Sequence, residues 1–237
     1  MTAEDYLARA LAARSSGARA RAARAGLASR LLADRTTQAL LLRQLSIAYF
    51  ESRRFRKAYD VALQALELRV LVDVVHQDAA RAAQALGQNE DAIGHLRLAA
   101  RRGPAGRRAF HLWTLGSALF VLGRFGEAAG YFDRATRWGT TDRPLYAAQA
   151  AVARLCRGER VPGAPALFEQ LAASPTSQGY GRFVLGQLAY HLRLWDDARR
   201  YLEAFIRRTE QGRPGLAISL AGELAFARST LSKMRAN

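Results

Sequence analysis

The sequence predicts an all-α fold, an array of antiparallel helix pairs, and three observations carry that prediction. Alanine recurs at Ala23, Ala58, Ala92, Ala128, Ala164 and Ala198, always 34 to 36 residues apart, and the residue three before it is Phe55, Phe125 and Trp195 in alternate repeats. Large aromatics are scarce enough that this register is informative where alanine alone is not. A second column lies upstream of the first, at Ala12, Ser46, Ala80, Gly116, Ala151 and Gly186, and every member is small. Small residues at one level of two consecutive helices let their backbones approach closely. Between the columns stand turn signals, Ser15-Ser16-Gly17, Gly87, Gly123 and Gly158, where glycine past a helix end takes the left-handed conformation without steric cost.

Composition agrees. Half of the 237 residues are hydrophobic and only 6 are proline, while Ala, Leu and Arg are abundant, so helix is favoured over strand. The stretch Phe110 to Phe120 repeats apolar groups every three or four residues and covers more than one face, as a helix packed on two sides does. The second helix of that pair follows from Phe125 to Trp138, with Ala128, Phe132 and Ala135 on one stripe.

In order along the chain, the pairs fall at about 5–38, 39–72, 73–108, 109–143, 144–178 and 179–213, within one domain over 1–237. The first has its two small columns only eleven residues apart, and its second helix opens with the basic run Arg19 to Arg24, so it reads as a repeat or as a cap. In the fifth, Val161-Pro162-Gly163-Ala164-Pro165 interrupts the second helix, which is expected to start late. Pro214 stands at a first helical position, and a single helix from there to Met234 is expected to cap the apolar face of the last pair.

These residues resemble the tetratricopeptide repeat family, whose pattern runs W-x2-L-G-x2-Y, then A-x3-F, then P, with a period of about 34 residues. The best match is 109–143. Leu112 stands for the Trp, Leu115-Gly116 is the Leu-Gly pair, Leu119 replaces the Tyr, and Ala128 with Phe132 supplies A-x3-F. Leu45-Ser46, Tyr49 and Ala58 match in the second pair, Leu185-Gly186 with Ala198 in the sixth, and Ala92-x3-Leu96 with Pro104 in the third. The resemblance implies a right-handed superhelical solenoid whose first helices line a concave groove that takes a peptide or helix of another protein. In that register the groove receives Phe110, Trp113, Ser117 and Phe120, then Tyr180, Phe183, Gln187 and Tyr190, and in the second pair Arg43, Ile47 and Phe50. The fourth and sixth pairs supply six aromatics on an expected open surface, and aromatic patches mark interaction sites. The alternative is that they pack inward, or that the array closes on itself. Some family members clamp an acidic tail with Lys and Asn on the groove helices. The matching places here hold Arg43, Ile47, Gln77 and Arg81, with no Asn, leaving Arg43 and Arg81 to meet isolated carboxylates.

Charge supplies a second expectation. With 36 basic and 20 acidic residues the net charge is +16, and only Lys57 and Lys233 are lysines, so nucleic acid, acidic membrane surfaces and acidic proteins are all open as partners. Arginines gather where pairs join, at Arg101, Arg102, Arg107, Arg108, Arg137 and Arg143. Such an edge could neutralise phosphates. Few aromatics interleave with it as a stacking platform needs, so a solvated basic face is the competing reading.

Catalytic chemistry is not expected. His76, His95, His111 and His191 are scattered without metal-ligand spacing and read as partly exposed helix residues. Cys156 reads as a buried inert thiol with no histidine nearby in sequence, and Asp196-Asp197 as first-turn helix acids. No phosphate loop or cofactor fingerprint occurs, so neither enzyme nor cofactor is predicted. One cysteine excludes an intrachain disulfide, the N-terminus is acidic, and no apolar run approaches the roughly 20 residues a span requires. A soluble cytoplasmic protein is the expectation, with self-association open.

Overall fold

A computed structural model describes residues 1–29 and 34–236. Residues 30–33, part of the first predicted pair at 5–38, lie outside the described residues, as does Asn237. Among the described residues the chain is all helical, a repeat-like array in which helices pack on their neighbours in sequence. The helices group into two compact units, Met1–Gly103 and Pro104–Asn237, and each is taken by itself.

Unit 1 contains α1 (Ala3–Ala12), α2 (Ser16–Leu27), α3 (Arg35–Glu51), α4 (Phe55–Glu67), α5 (Val72–Ala85) and α6 (Asn89–Arg102). The first three starts are set by caps that accept orphan backbone N–H groups. Thr2 and Asp5 form a reciprocal capping box, the Ser15 side chain accepts from Ala18, and Asp34 accepts from Thr36 at 2.7 Å and Thr37 at 3.1 Å. Ser15 therefore begins α2, and Gly17 lies inside the helix rather than in the turn.

Unit 2 contains α7 (Ala105–Val121), α8 (Phe125–Trp138), α9 (Arg143–Cys156), α10 (Ala164–Ala172), a short 3-10 turn at Pro175–Ser177, α11 (Gly181–His191), α12 (Trp195–Glu210), α13 (Pro214–Ser219) and α14 (Ala221–Ala236). The late start of α10 at Ala164 is as expected after the Val161 to Gly163 interruption. The predicted single cap over 214–234 is corrected to two helices, α13 and α14, broken at Leu220, where the backbone leaves helical geometry at φ −106° and ψ 22°.

The tight turns obey one rule. Gly87 and Gly123 have φ of +75° and Gly158 has +78°, the left-handed geometry that the sequence led us to expect. The turns at 52–54 and 192–194 use the same geometry without glycine, with Arg53 at φ +58° and Arg193 at +61°. In each, the N–H three places past the last helical residue reaches back to a carbonyl five residues earlier, as from Arg54 to Tyr49 (2.8 Å) and Leu194 to Ala189 (2.9 Å).

The alanine column lies at the centre of this packing. Ala23, Ala58, Ala128 and Ala198 are fully buried, with Ala92 and Ala164 at 1% exposure. The small column explains the close approach: a Cβ on Gly116 would lie 2.6 Å from the Phe132 ring, and one on Gly186 would lie 2.6 Å from Leu202.

Candidate protein-binding surfaces

In unit 2 the predicted groove residues converge on one face, and α14 lies across it. Phe110 stays exposed at 46% and leans on Trp113, with ring centroids 5.8 Å apart. Trp113 is half-buried, stands edge-on to Tyr180 at 4.9 Å, and donates its indole N–H to Gln149 Oε1 at 2.7 Å. Gln149 Nε2 in turn donates to the Tyr180 hydroxyl at 3.0 Å, and Ser117 Oγ lies within 3.5 Å of both. Tyr190 is half-buried and packs edge-on against Trp195 at 5.9 Å.

The open aromatic groove expected here is closed at its centre. Phe120 and Phe183 are buried, and Phe226 of α14 covers them at centroid distances of 5.0 and 6.2 Å, with Phe125 and Phe205 completing the cluster. Ser117 and Gln187 are buried as well. The cause is a mixed apolar and polar inner stripe. Glu223, Leu224, Ala227 and Thr230 of α14 are its buried residues, a stripe at helical spacing that takes the inner face out of water. Gly222 fits against Val121, where a Cβ would approach to 2.9 Å.

Two polar contacts fix the register of α14. The Tyr180 hydroxyl donates to Glu223 Oε1 at 3.2 Å, and the Thr230 hydroxyl donates to Gln187 Oε1 at 3.1 Å. Both join residues 43 apart, so α14 runs alongside α11 in the same direction. Burial raises the Glu223 carboxyl to about 7, and it raises the Tyr180 phenol well above its ordinary value, helped by the carboxylate beside it. Gln187 Nε2 is buried without a hydrogen-bond partner among the described residues.

In unit 1 the groove positions are differently occupied. Arg43 Nε contacts Asp78 Oδ2 at 2.6 Å and Arg81 reaches Oδ1 at 3.7 Å, so the two arginines expected to meet a partner's carboxylates share a buried one of this chain. Ile47 is half-buried. Phe50 is 6% exposed, with Phe55 at 5.6 Å and the Arg81 guanidinium 6.0 Å from its ring.

The basic edge divides between the units. Arg101 and Arg102, both exposed, end α6. Arg107, Arg108, Arg137 and Arg143 belong to unit 2, where the Arg108 guanidinium sits 4.5 Å over Trp138, itself 51% exposed, and Arg143 Nε donates to the Gly139 carbonyl at 3.3 Å. An aromatic is therefore interleaved with these arginines after all.

Of the four histidines expected to be partly exposed, His95 and His191 are half-buried as expected, and the other two are corrected to buried. His76 and His111 are buried, and His76 Nδ1 lies 2.9 Å from His95 Nδ1, with the Tyr59 hydroxyl 3.1 Å from His95 Nε2. Burial and the neighbouring His95 lower His76 to about 4, and burial lowers His95 too. Cys156, without a histidine near it in sequence, has His191 Nε2 at 3.6 Å in space. Burial raises its thiol to about 11, which removes the thiolate a nucleophile needs. Among the described residues no group of three or more His, Cys, Asp or Glu side chains could hold a metal, and no helix is long and apolar enough to cross a membrane.

The residues that sequence reasoning missed are Gln149, Glu223, Phe226 and Thr230. The last three, with Ala227, sit at i, i+3, i+4 and i+7, a stripe that was readable within the predicted cap. Gln149 gave no such signal. No protein-family model matches the chain, and no curated protein matches it at a significant level.

Proposed function

We propose that the chain is a non-enzymatic scaffold of the tetratricopeptide type, whose inner face in unit 2 receives a helix of a partner protein. The observation that supports this reading is α14 itself: a helix seated on α7 and α11 by one aromatic, Phe226, and two polar contacts, from Tyr180 to Glu223 and from Thr230 to Gln187. A surface that already holds one helix has the shape and chemistry to hold another. Partner recovery by the tagged full-length chain tests it. Phe226→Ala, which loosens α14, is expected to raise the yield of a recurrent partner, and adding Trp113→Ala and Phe183→Ala is expected to abolish it. A yield indifferent to all three substitutions would sink the assignment.

A nucleic-acid-associated protein is the second reading, favoured by the exposed Trp138 beneath Arg108 with Arg137 and Arg143 also exposed in the same unit. A base stacked on Trp138 with phosphates on the arginines would give an affinity that falls steeply with salt. Absence of single-strand binding at about 50 mM salt would remove this reading.

A further inference from the structure

We propose that α14 is an exchangeable, proton-dependent occupant of its seat: it closes the groove while Glu223 is protonated and yields, as pH rises, to a helix that presents a neutral amide at that position. The inference rests on the helix-binding reading above and adds its regulation and the chemistry of the helix preferred.

Two features of the seat make α14 an imperfect fit. Glu223 is a carboxyl at 6% exposure, and among the described residues no arginine or lysine pairs with it. A buried carboxylate without a cation is costly, whereas the protonated acid can share a hydrogen bond with a phenol. Its side-chain partner is neutral, Tyr180 at the start of α11, whose raised phenol keeps its proton and meets Ser117 from α7 and Gln149 from α9. The first turn of α14 favours the charged form without reversing the effect of burial. From α12, Glu210 pairs with Arg228 on α14, and α13 carries no ionisable side chain. Lys233, farther along α14, lies by Cys156 and His191, and His191, lowered by burial and by Lys233, loosens that far end as pH falls, opposite in sign to Glu223. The second imperfection is Gln187 Nε2, which α14 leaves buried and unsatisfied, so an acceptor in the place of Thr230 would complete a bond that α14 does not make.

The attachment is compatible with exchange. α14 connects to α12 through α13, which has no buried residue. The direction of the proton effect follows from Glu223, raised from 4.5 to about 7 when seated. Docking is therefore fully favourable below about 4.5 and is lost progressively as pH rises to about 7, beyond which no further loss occurs.

The test uses the full chain and, as probe, a fluorescent, end-blocked synthetic peptide of residues 219–236 carrying Glu223→Gln, whose remaining charges do not change between pH 5.5 and 8. The native chain is expected to bind it at least about tenfold more tightly at pH 8 than at pH 5.5. A chain carrying Glu223→Gln should bind it weakly at both, and a Phe226→Ala chain should bind it at both. Hydrogen exchange of residues 221–227, corrected for intrinsic rates, should lose protection over the same interval in the native chain and hold it in the Glu223→Gln chain. Equal affinity of the native chain at the two pH values, with Phe226→Ala binding the peptide, would overturn the proton dependence and leave the groove reading standing. No binding to the Phe226→Ala chain would overturn the groove reading as well.

Discussion

The two units are built from the same helix pair but fill its interior in opposite ways. In the fourth and sixth pairs, both in unit 2, the small column is glycine against a large residue: Gly116 meets Phe132, and Gly186 meets Leu202. In unit 1 the equivalent Ser46 keeps a side chain, whose hydroxyl donates to the Ala58 carbonyl at 2.8 Å, and the A-x3 position holds Ala62 instead of Phe. Volume removed from one helix is returned by the other, which is what close packing demands. The inner faces differ in the same sense. Unit 1 closes its groove positions with the Arg43, Asp78 and Arg81 cluster, and unit 2 closes its own with aromatic rings and a covering helix.

The strongest way to break this comparison is to remove a ring from each unit. Phe120 is fully buried among Phe125, Phe183 and Phe226, so Phe120→Ala is expected to cost about 3–5 kcal/mol. Phe50, at 6% exposure and with Phe55 as its ring neighbour, should fall at or below the low end of that range. Trp113, Trp138 and Trp195 all lie in unit 2, so their emission during urea unfolding follows that unit, and hydrogen exchange follows unit 1. Equal losses would mean that the aromatic cluster adds nothing beyond ordinary burial.

A finer test concerns the glycine column. Adding a methyl at Gly116 brings about 1 kcal/mol of helix propensity but drives a Cβ to 2.6 Å from a rigid ring, an overpacking cost of about 1–3 kcal/mol. Gly116→Ala should therefore be destabilising by up to about 2 kcal/mol. Combining it with Phe132→Leu should cost less than the sum of the two single changes, since the smaller side chain relieves the clash. Strict additivity in the urea midpoints would show that the pairing of small with large is not a packing constraint.

How much of this was legible follows from the nature of each signal. The repeat was readable because it rests on steric necessity at fixed spacing: alanine where helices touch, a small residue opposite, glycine at a positive φ. The turns at Arg53 and Arg193 show where that logic stops, since a left-handed residue without glycine carries no mark in composition. The groove positions were readable as to face and not as to exposure. Nothing local in Phe120 or Phe183 says whether a helix some 40 to 100 residues further on will cover them. Likewise, the contacts of His76 with His95 and of Cys156 with His191 bridge 19 and 35 residues, and only the fold brings them together.

The most local effect is also diagnostic, because His76 in unit 1 and Glu223 in unit 2 should answer pH with opposite sign. His76 is lowered from 6.5 to about 4, so the stability it lends to α5 and α6 is complete above pH 6.5 and is lost as pH falls towards 4, when a proton must be forced onto a buried ring beside His95 and near Arg102. Glu223 behaves in reverse, its contribution complete below 4.5 and lost towards 7. Acidification from pH 7 to 4.5 should thus weaken hydrogen-exchange protection over 72–102 while strengthening it around Glu223 over 221–227, after correction for intrinsic rates; nearer Lys233 the lowered His191 acts the other way. His76→Leu should flatten the first profile and leave the second untouched, because the two groups lie in separate compact units. Parallel changes in both segments would show that a single global transition, and not two local proton sites, governs the response.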